Sequence, residues 1–453
     1  MRTCLAAILA SLTLATAALA DGEPKSFKAT LMGHAVLPAA SFVDAPADAP
    51  EDLKTSAKYT QGGRRTDAIG SIMGKSGIRP TGLSLPFKGQ AVQGFSGVRS
   101  LGNGEYLVLT DNGFGSKGNS PDAALMVHRL KIDFAGGKVE RTATTFLTDP
   151  DKKVPFRIMN EATRERYLTG ADFDIESIQP IAGKLWIGEE LGPYLVRTDA
   201  NGKVEAVFET EVDGKVVKSP DHYSVTTPAM PGAPVAFQVR RSKGFEGMAQ
   251  SPDGKFLYAL LEGPIWDEGK KAFETVDGKE VLRVLEFDVQ GEKWTGRSWK
   301  YQLAANGNAI GDFNMIDATT GLIIERDNGE GTADKACPAG EKKPDCFEDV
   351  AKYKRIVKVE FSDANVGGLV RKIGDIDLLA IQDPRELARQ GGRGGKLAMP
   401  FVTIENVDVV DAAAGLIVVG NDNNLPFSAG REPNKADDNE FVLLEVKDLL
   451  AAK

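Results

Sequence analysis

Five stretches, far apart in the chain, repeat one arrangement of oxygen-bearing side chains. They read GFSGVRSLGNGEYLVLTDNG from Gly94, DIESIQPIAGKLWIGEELG from Asp174, GFEGMAQSPDGKFLYALLEG from Gly244, GDFNMIDATTGLIIERDNG from Gly311 and TIENVDVVDAAAGLIVVGNDNN from Thr403. Each opens with a short apolar segment bearing one polar or acidic residue: Ser96, Glu176, Glu246, Asn314 and Glu405. Each then turns into a β-prone run ending at Asp111, at Glu189 or Glu190, at Glu262, at Glu325 or Asp327, and at Asn421 or Asp422. Taken singly, every one of these acids also suits a turn cap. Repetition at five corresponding places argues for convergence instead, and carboxylates a few ångströms apart cannot all stay ionised without a counter-charge. Oxygen ligands in a chain with three His and three Cys select a hard ion, Ca2+ ahead of Mg2+. Glu176, Glu246, Glu262 and Glu405 are the leading ligands, with Asp111 and Asp422 beside them; Glu190 and Asp327 are the candidates for general base. Glu246 and Glu405 weigh most, because GFEGM and TIENV are apolar settings in which an unpaired charge is costly. Arg241 and Lys243, just ahead of GFEG, are placed to orient an anionic substrate, as is Arg326 inside ERDNG.

Bringing such distant residues together needs a fold with a common axis. Starts of successive copies lie about 70 to 90 residues apart, and each interval holds further strand-like runs, such as VLRVLEFDV with SWKYQL or RIVKVEF with LVRKIGDIDLL. Four strands per interval make one blade, and the predicted class is an all-β propeller of five to six four-stranded blades, with the first strand of each blade lining the channel. A two-sheet sandwich is the competing architecture. The last copy offers only FVLLEV after its second strand and is one strand short, so Phe27–Leu37 is expected to supply the missing outer strand and close the ring. Residues 38–93 leave room for a sixth blade. Helix is expected only near Pro384–Gln390 and Asp448–Lys453.

Composition narrows the partners. The 453 residues carry a formal charge of −9, which lacks the basic footprint of a nucleic-acid or anionic-membrane binder, and 49 Gly fit many tight turns. Arg2, the apolar stretch from Leu5 to Leu19 and the small residues ending at Ala20 have the build of a secretory signal peptide, leaving residues 21–453 as a single domain in a periplasmic or extracellular setting. Cys337 and Cys346, within CPAGEKKPDC, are then expected to form a local disulfide. Other catalytic patterns fail: GFSGV is not a nucleophile elbow, and QGGRGGK lacks the ending of a phosphate-binding loop. His34, His128 and His222 read as structural, His222 being the best placed of the three for a base. The four Trp read as blade packing.

GFSGV with TDNG, DIES, GFEGMAQSPDGKFLYALLEG and IERDNG together resemble the secreted bacterial phytase-like β-propeller family, described by an esterase-like activity of phytase. The resemblance spans Phe27 to Val446. It implies a propeller, export, and hydrolysis of phosphoester or ester bonds. Joined to the acidic pattern, the reading is a Ca2+-dependent hydrolase acting on a small anionic substrate at the channel mouth, without an obligate protein partner. Two alternatives stand beside it: a Ca2+-dependent lactonase-like propeller using Asn314, Asn406 and Asn421, and a non-catalytic binding or scaffold propeller with a structural ion.

Overall fold

The computed structural model describes residues 24–62, 65–67 and 70–453. The expected signal peptide lies outside them. Four four-stranded antiparallel sheets follow one another along the chain. Blade 1 is Phe95–Gly102, Glu105–Thr110, Met126–Asp133 and Lys138–Phe146; blade 2 is Ile175–Ile181, Lys184–Glu189, Tyr194–Asp199 and Val204–Glu209. Blade 3 is Phe245–Gln250, Phe256–Leu261, Lys279–Asp288 and Lys293–Gln302; blade 4 is Ala309–Met315, Thr320–Arg326, Lys354–Glu360 and Arg371–Asp377. Blade 5 takes Ile404–Asp411, Leu416–Asn421 and Asn439–Glu445 from the end of the chain, and its outer strand Thr30–Leu37 from the beginning.

The ring closes with five blades. Each innermost strand packs against the next around the circle, and that of blade 5 returns to that of blade 1. Five seams of apolar side chains hold the blades together. One joins Leu322, Ile324 and Ile356 of blade 4 to Val407, Val419 and Leu444 of blade 5, and another joins Val98, Tyr106 and Val108 of blade 1 to Val418 and Phe441 of blade 5. Alternation in the inner strands puts apolar residues on both faces, because a blade is covered on both sides. Trp186 and Trp299 are fully buried in these seams.

The closing strand pairs antiparallel in the register Leu31 with Leu444, Ala35 with Phe441 and Leu37 with Asn439. It is shorter than the sequence suggests: the chain breaks after Phe27, and Lys25–Phe27 adds instead, in parallel, to the outer strand of blade 4. One N-terminal segment therefore ties two blades. At Gly33 a Cβ would lie 2.5 Å from Phe134 Cβ, so only glycine lets this strand lie against the blade 1 turn.

Two expectations are corrected. Residues 38–93 form no sixth blade; among the described residues their short strands pair with one another, as in the hairpin of Ile72–Ser76 with Arg79–Leu85. Pro384–Gln390 is not helical: the Asp383 carboxylate accepts from Leu387 N–H at 2.7 Å and Ala388 N–H at 3.0 Å, folding the segment into turns instead. At the other end Lys447–Ala451 is a short helix. Turns between first and second strands are short throughout, whereas most of the segments that leave the second strands or join the blades are long, those between Glu189 and Tyr194 and between Gln302 and Ala309 being the short exceptions. The added chain therefore gathers on one face of the ring, the face where the acids meet.

Candidate active site at the propeller mouth

The same irregularity occurs in every blade. Pairing of the first two strands slips by one residue between Phe95 and Gly97, between Ile175 and Ser177, between Phe245 and Gly247, between Ile310 and Phe313, and between Ile404 and Asn406. A β-bulge leaves one residue unpaired and re-aims its side chain. The bulged residues are Ser96, Glu176, Glu246 and Glu405, with Gly311–Asp312 in blade 4. Glycine beside the bulge has a steric reason: a Cβ on Gly247 would lie 2.8 Å from Phe313 Cβ, and one on Gly311 would lie 2.5 Å from Ile404 O and 3.0 Å from Glu405 Cα. The inner strands thus approach closely enough to bring their bulged acids together.

One step along, the ends of the second strands form an upper ring. The residues following the last paired positions Thr110, Glu189, Leu261 and Asn421 are Asp111, Glu190, Glu262 and Asp422; in blade 4 the corresponding residue after Glu325 is Arg326, which is itself still paired, with Ala309. Backbone bonds of 2.8 Å, from Asp111 N to Gly94 O, Glu190 N to Asp174 O and Glu262 N to Gly244 O, fix three of them identically. Carboxylate oxygens within 4.8 Å of one another occur in three overlapping sets: Asp174, Glu176 and Glu190; Glu176, Glu246 and Glu405; and Glu190, Glu246 and Glu262. All these acids are buried.

Lys243 and Arg326 bring positive charge to the cluster. Lys243 Nζ pairs with Glu262, and Arg326 Nη2 donates to Glu405 Oε1 at 3.0 Å, while Ser96 Oγ donates to Glu405 Oε2 at 3.2 Å. Burial, and then the charges of neighbouring acids, raise Glu176, Glu190, Glu246 and Asp111 well above the usual carboxylate range. Burial alone would lower the Lys243 ammonium, but Glu262 and Glu190 lift it above its ordinary value. Glu190 Oε1 and Glu246 Oε1 are buried with no hydrogen-bond partner. An orphaned carboxylate oxygen in a dry site is costly unless something cationic completes it. The donor set, all oxygen and mostly carboxylate, fits a hard divalent cation.

Further along the inner strands a second polar layer ties the blades to one another. Arg99 Nη1 donates to Asp408 Oδ1 at 2.9 Å and also to Asn314 Oδ1, which accepts from Gln179 Nε2 at 2.9 Å. Asp312 accepts from Phe313 N–H at 2.8 Å, and burial pushes its carboxyl up to about 8.

Glu176, Glu246, Glu262, Glu405 and Glu190 meet in the three sets, and Asp111 and Asp422 stand on the upper ring next to them. Three placements differ from the sequence reading. Asn314 lies in the second polar layer, three residues past the bulge, and blade 4 offers Gly311 where the other blades offer Ser or Glu. Asp327 is turned away, accepting from Lys352 N–H at 2.8 Å and Tyr353 N–H at 3.0 Å, with Lys354 Nζ at 3.0 Å; the strand end in its blade is Arg326. Arg241 is exposed and paired with Asp221. Asn406 Nδ2 donates to Phe95 O, and Asn421 is held by Asp438 O at 3.0 Å and Glu440 N–H at 2.7 Å, so both amides serve the blade 5 seam. His222 Nδ1 accepts from Ser224 N–H at 3.2 Å and caps its own turn. Cys337 and Cys346 form a disulfide. Sequence reasoning passed over Asp174, although it opens the DIES copy. Counting both strands back from the bulge, rather than by motif, brings it to the site.

A family model described as Phytase-like, esterase-like activity of phytase, matches residues 90–425. A curated relative, an "Uncharacterized secreted protein" of Arthroderma benhamiae, is 29% identical over 120 residues, covering 24% of this chain and 22% of that protein's length. Similar solved structures include a luciferin-regenerating enzyme (9% identity, TM-score 0.36, covering 94% of this chain and 96% of that one) and the periplasmic gluconolactonase of Pseudomonas aeruginosa (12%, 0.30, 82% and 98%). The Dos1 propeller is a third (10%, 0.28, 77% and 68%). The blade assignment itself rests on strand pairing and ring closure.

Proposed function

Because the chain belongs to the phytase-like family, described by the esterase-like activity of phytase, we propose that it is a metal-dependent hydrolase of ester bonds in small anionic substrates, phosphoesters foremost. The observation that carries this reading is the buried acidic nest with two orphaned carboxylate oxygens, set beside a guanidinium and an ammonium. Glu176, Glu246 and Glu405 would hold the ion. A hard divalent cation such as Ca2+ supplies Lewis acidity to a substrate oxygen and lowers the pKa of bound water.

The chain's own groups do the remaining work. Arg326 and Lys243 face the nest from blade 4 and from the approach to blade 3, and they receive the non-reacting oxygens of an anion; their pairing with Glu405 and Glu262 holds both heads in place beforehand. Asp111 is the partly exposed member of the upper ring, with Oδ1 fixed by Gly113 N–H at 2.7 Å. It is the carboxylate best placed to take a proton from attacking water at the mouth. Export across a membrane accompanies this reading, supported by the N-terminal sequence and the secreted relative; no helix among the described residues is long and apolar enough to span a bilayer.

The test is hydrolysis of p-nitrophenyl phosphate, phytate and a simple lactone by the mature protein, with EDTA and after return of Ca2+. Phosphatase activity lost on chelation and restored by Ca2+ is the expected result. Turnover indifferent to EDTA, or of the lactone alone, overturns it.

A further inference from the structure

The charge in the nest exceeds what one ion can balance. Eight buried or partly buried carboxylates converge there: Asp111, Asp174, Glu176, Glu190, Glu246, Glu262, Glu405 and Asp422. Lys243 and Arg326 answer two of them. If all were ionised, six negative charges would be left; one divalent ion leaves four, and two leave two. Protons and cations are the two remedies for such crowding.

The three carboxylate sets are not equivalent. The axial set, Glu176, Glu246 and Glu405, contains the orphaned Glu246 Oε1, and Arg326 touches only its Glu405 edge. The lateral set, Asp174, Glu176 and Glu190, contains the orphaned Glu190 Oε1, and none of its three acids is ion-paired among the described residues. Asp174 Oδ1 accepts from Asn112 N–H at 3.3 Å, and the Asn112 side chain and the Glu176 carboxyl also bond to this carboxylate, so the set is held together by neutral and shared donors with no cation of its own. The third set repeats Glu190 and Glu246 and adds only Glu262, whose carboxylate the Lys243 ammonium already holds. Glu176 is the acid common to the first two.

We propose that the mouth takes two divalent cations, one axial and one lateral, bridged by the Glu176 carboxylate, while the ammonium of Lys243 occupies the place of a third. The proposal rests on the metal-dependent reading above and deepens it. It also explains why blade 4 departs from the other four. Gly311 and Arg326 replace two acids on that side, so both ions lie toward blade 2, and the guanidinium faces them across the space an anion would fill.

The experiment is calorimetric titration of chelator-treated mature protein with CaCl2, paired with elemental analysis after dialysis. Two ions per chain are expected for the wild type, one for Asp174→Asn, and three for Lys243→Met. A single ion in the wild type overturns the two-ion arrangement and leaves the one-metal hydrolase standing; none at all overturns both. Two ions retained by a folded Asp174→Asn protein, or no third ion in Lys243→Met, removes the lateral or the lysine assignment respectively. Should Asp174→Asn fail to fold by circular dichroism, the wild-type count decides alone.

Discussion

The residues of the mouth divide by what their side chains face. Glu176, Glu246 and Glu190 lie against one another, the arrangement that the proposed cation would complete, while Lys243 and Arg326 are paired with Glu262 and Glu405. Asp111 differs, because it is partly exposed and held only by a backbone donor. Asp111→Asn is expected to lower kcat on p-nitrophenyl phosphate by about 10²- to 10⁴-fold while leaving Ca2+ affinity within a few-fold of wild type; equal loss of metal binding would make it a ligand and not a base. Arg326→Met is expected to raise KM more than it lowers kcat, read from initial rates over a substrate series. An unchanged KM would restrict Arg326 to anchoring Glu405.

At the scale of elements, the bulge and the latch carry the site. Gly311→Ala pushes a Cβ onto the backbone of blade 5, a clash that the inner strands can relieve only by separating. A loss of about 1–3 kcal/mol is expected from denaturant titration, with a fall in Ca2+ affinity that a surface glycine variant does not share. The latch has its own chemistry. Arg389 N–H donates to His34 Nδ1 at 3.0 Å, which leaves the ring proton on Nε2, 3.0 Å from Glu440 Oε2, and Arg431 Nε donates to Glu440 Oε1 at 2.9 Å. Burial alone would raise Glu440, but Arg431 and His34 bring it down to about 2 from an ordinary 4.5. A depressed folded pKa contributes stability in full above 4.5 and loses it as pH falls through 2. Wild type should therefore lose stability between these values more steeply than Glu440→Gln, which is expected to be weaker by about 3–5 kcal/mol at pH 7 because Arg431 is left unpaired. Parallel pH profiles for the two proteins would rule out that role.

At the scale of the whole molecule, the proposed metal site would tie ring closure to ion binding. The ring is completed by Thr30–Leu37 lying against Asn439–Glu445, and the five inner strands meet where their acids repel. Ca2+ at 100 times its dissociation constant is expected to add about 2.7 kcal/mol to stability, seen as a rise in Tm that EDTA abolishes. An unchanged Tm would mean that the nest is satisfied by protons alone.

Much of this was legible in the chain. Glu246 and Glu405 stood out because an acid inside GFEGM or TIENV has no local partner, and the missing strand of the final copy predicted that the N-terminus would supply it; both signals are local, one of composition and one of count. Asn314, Asp327 and Arg241 could not be placed by the same means. A bulge shifts register by one residue and so decides which side chains of its strand face the axis; in blade 4 it falls at Gly311–Asp312, ahead of Asn314, and the position matching the other strand ends is Arg326, one residue before Asp327. The five repeats along the chain were enough to expect a propeller of five to six blades that brings acids to an axis. Only the closed ring decided which acids lie within reach of a shared cation, because that depends on how closely backbones approach between blades, a contact made by glycines whose neighbours are 60 or more residues away in sequence.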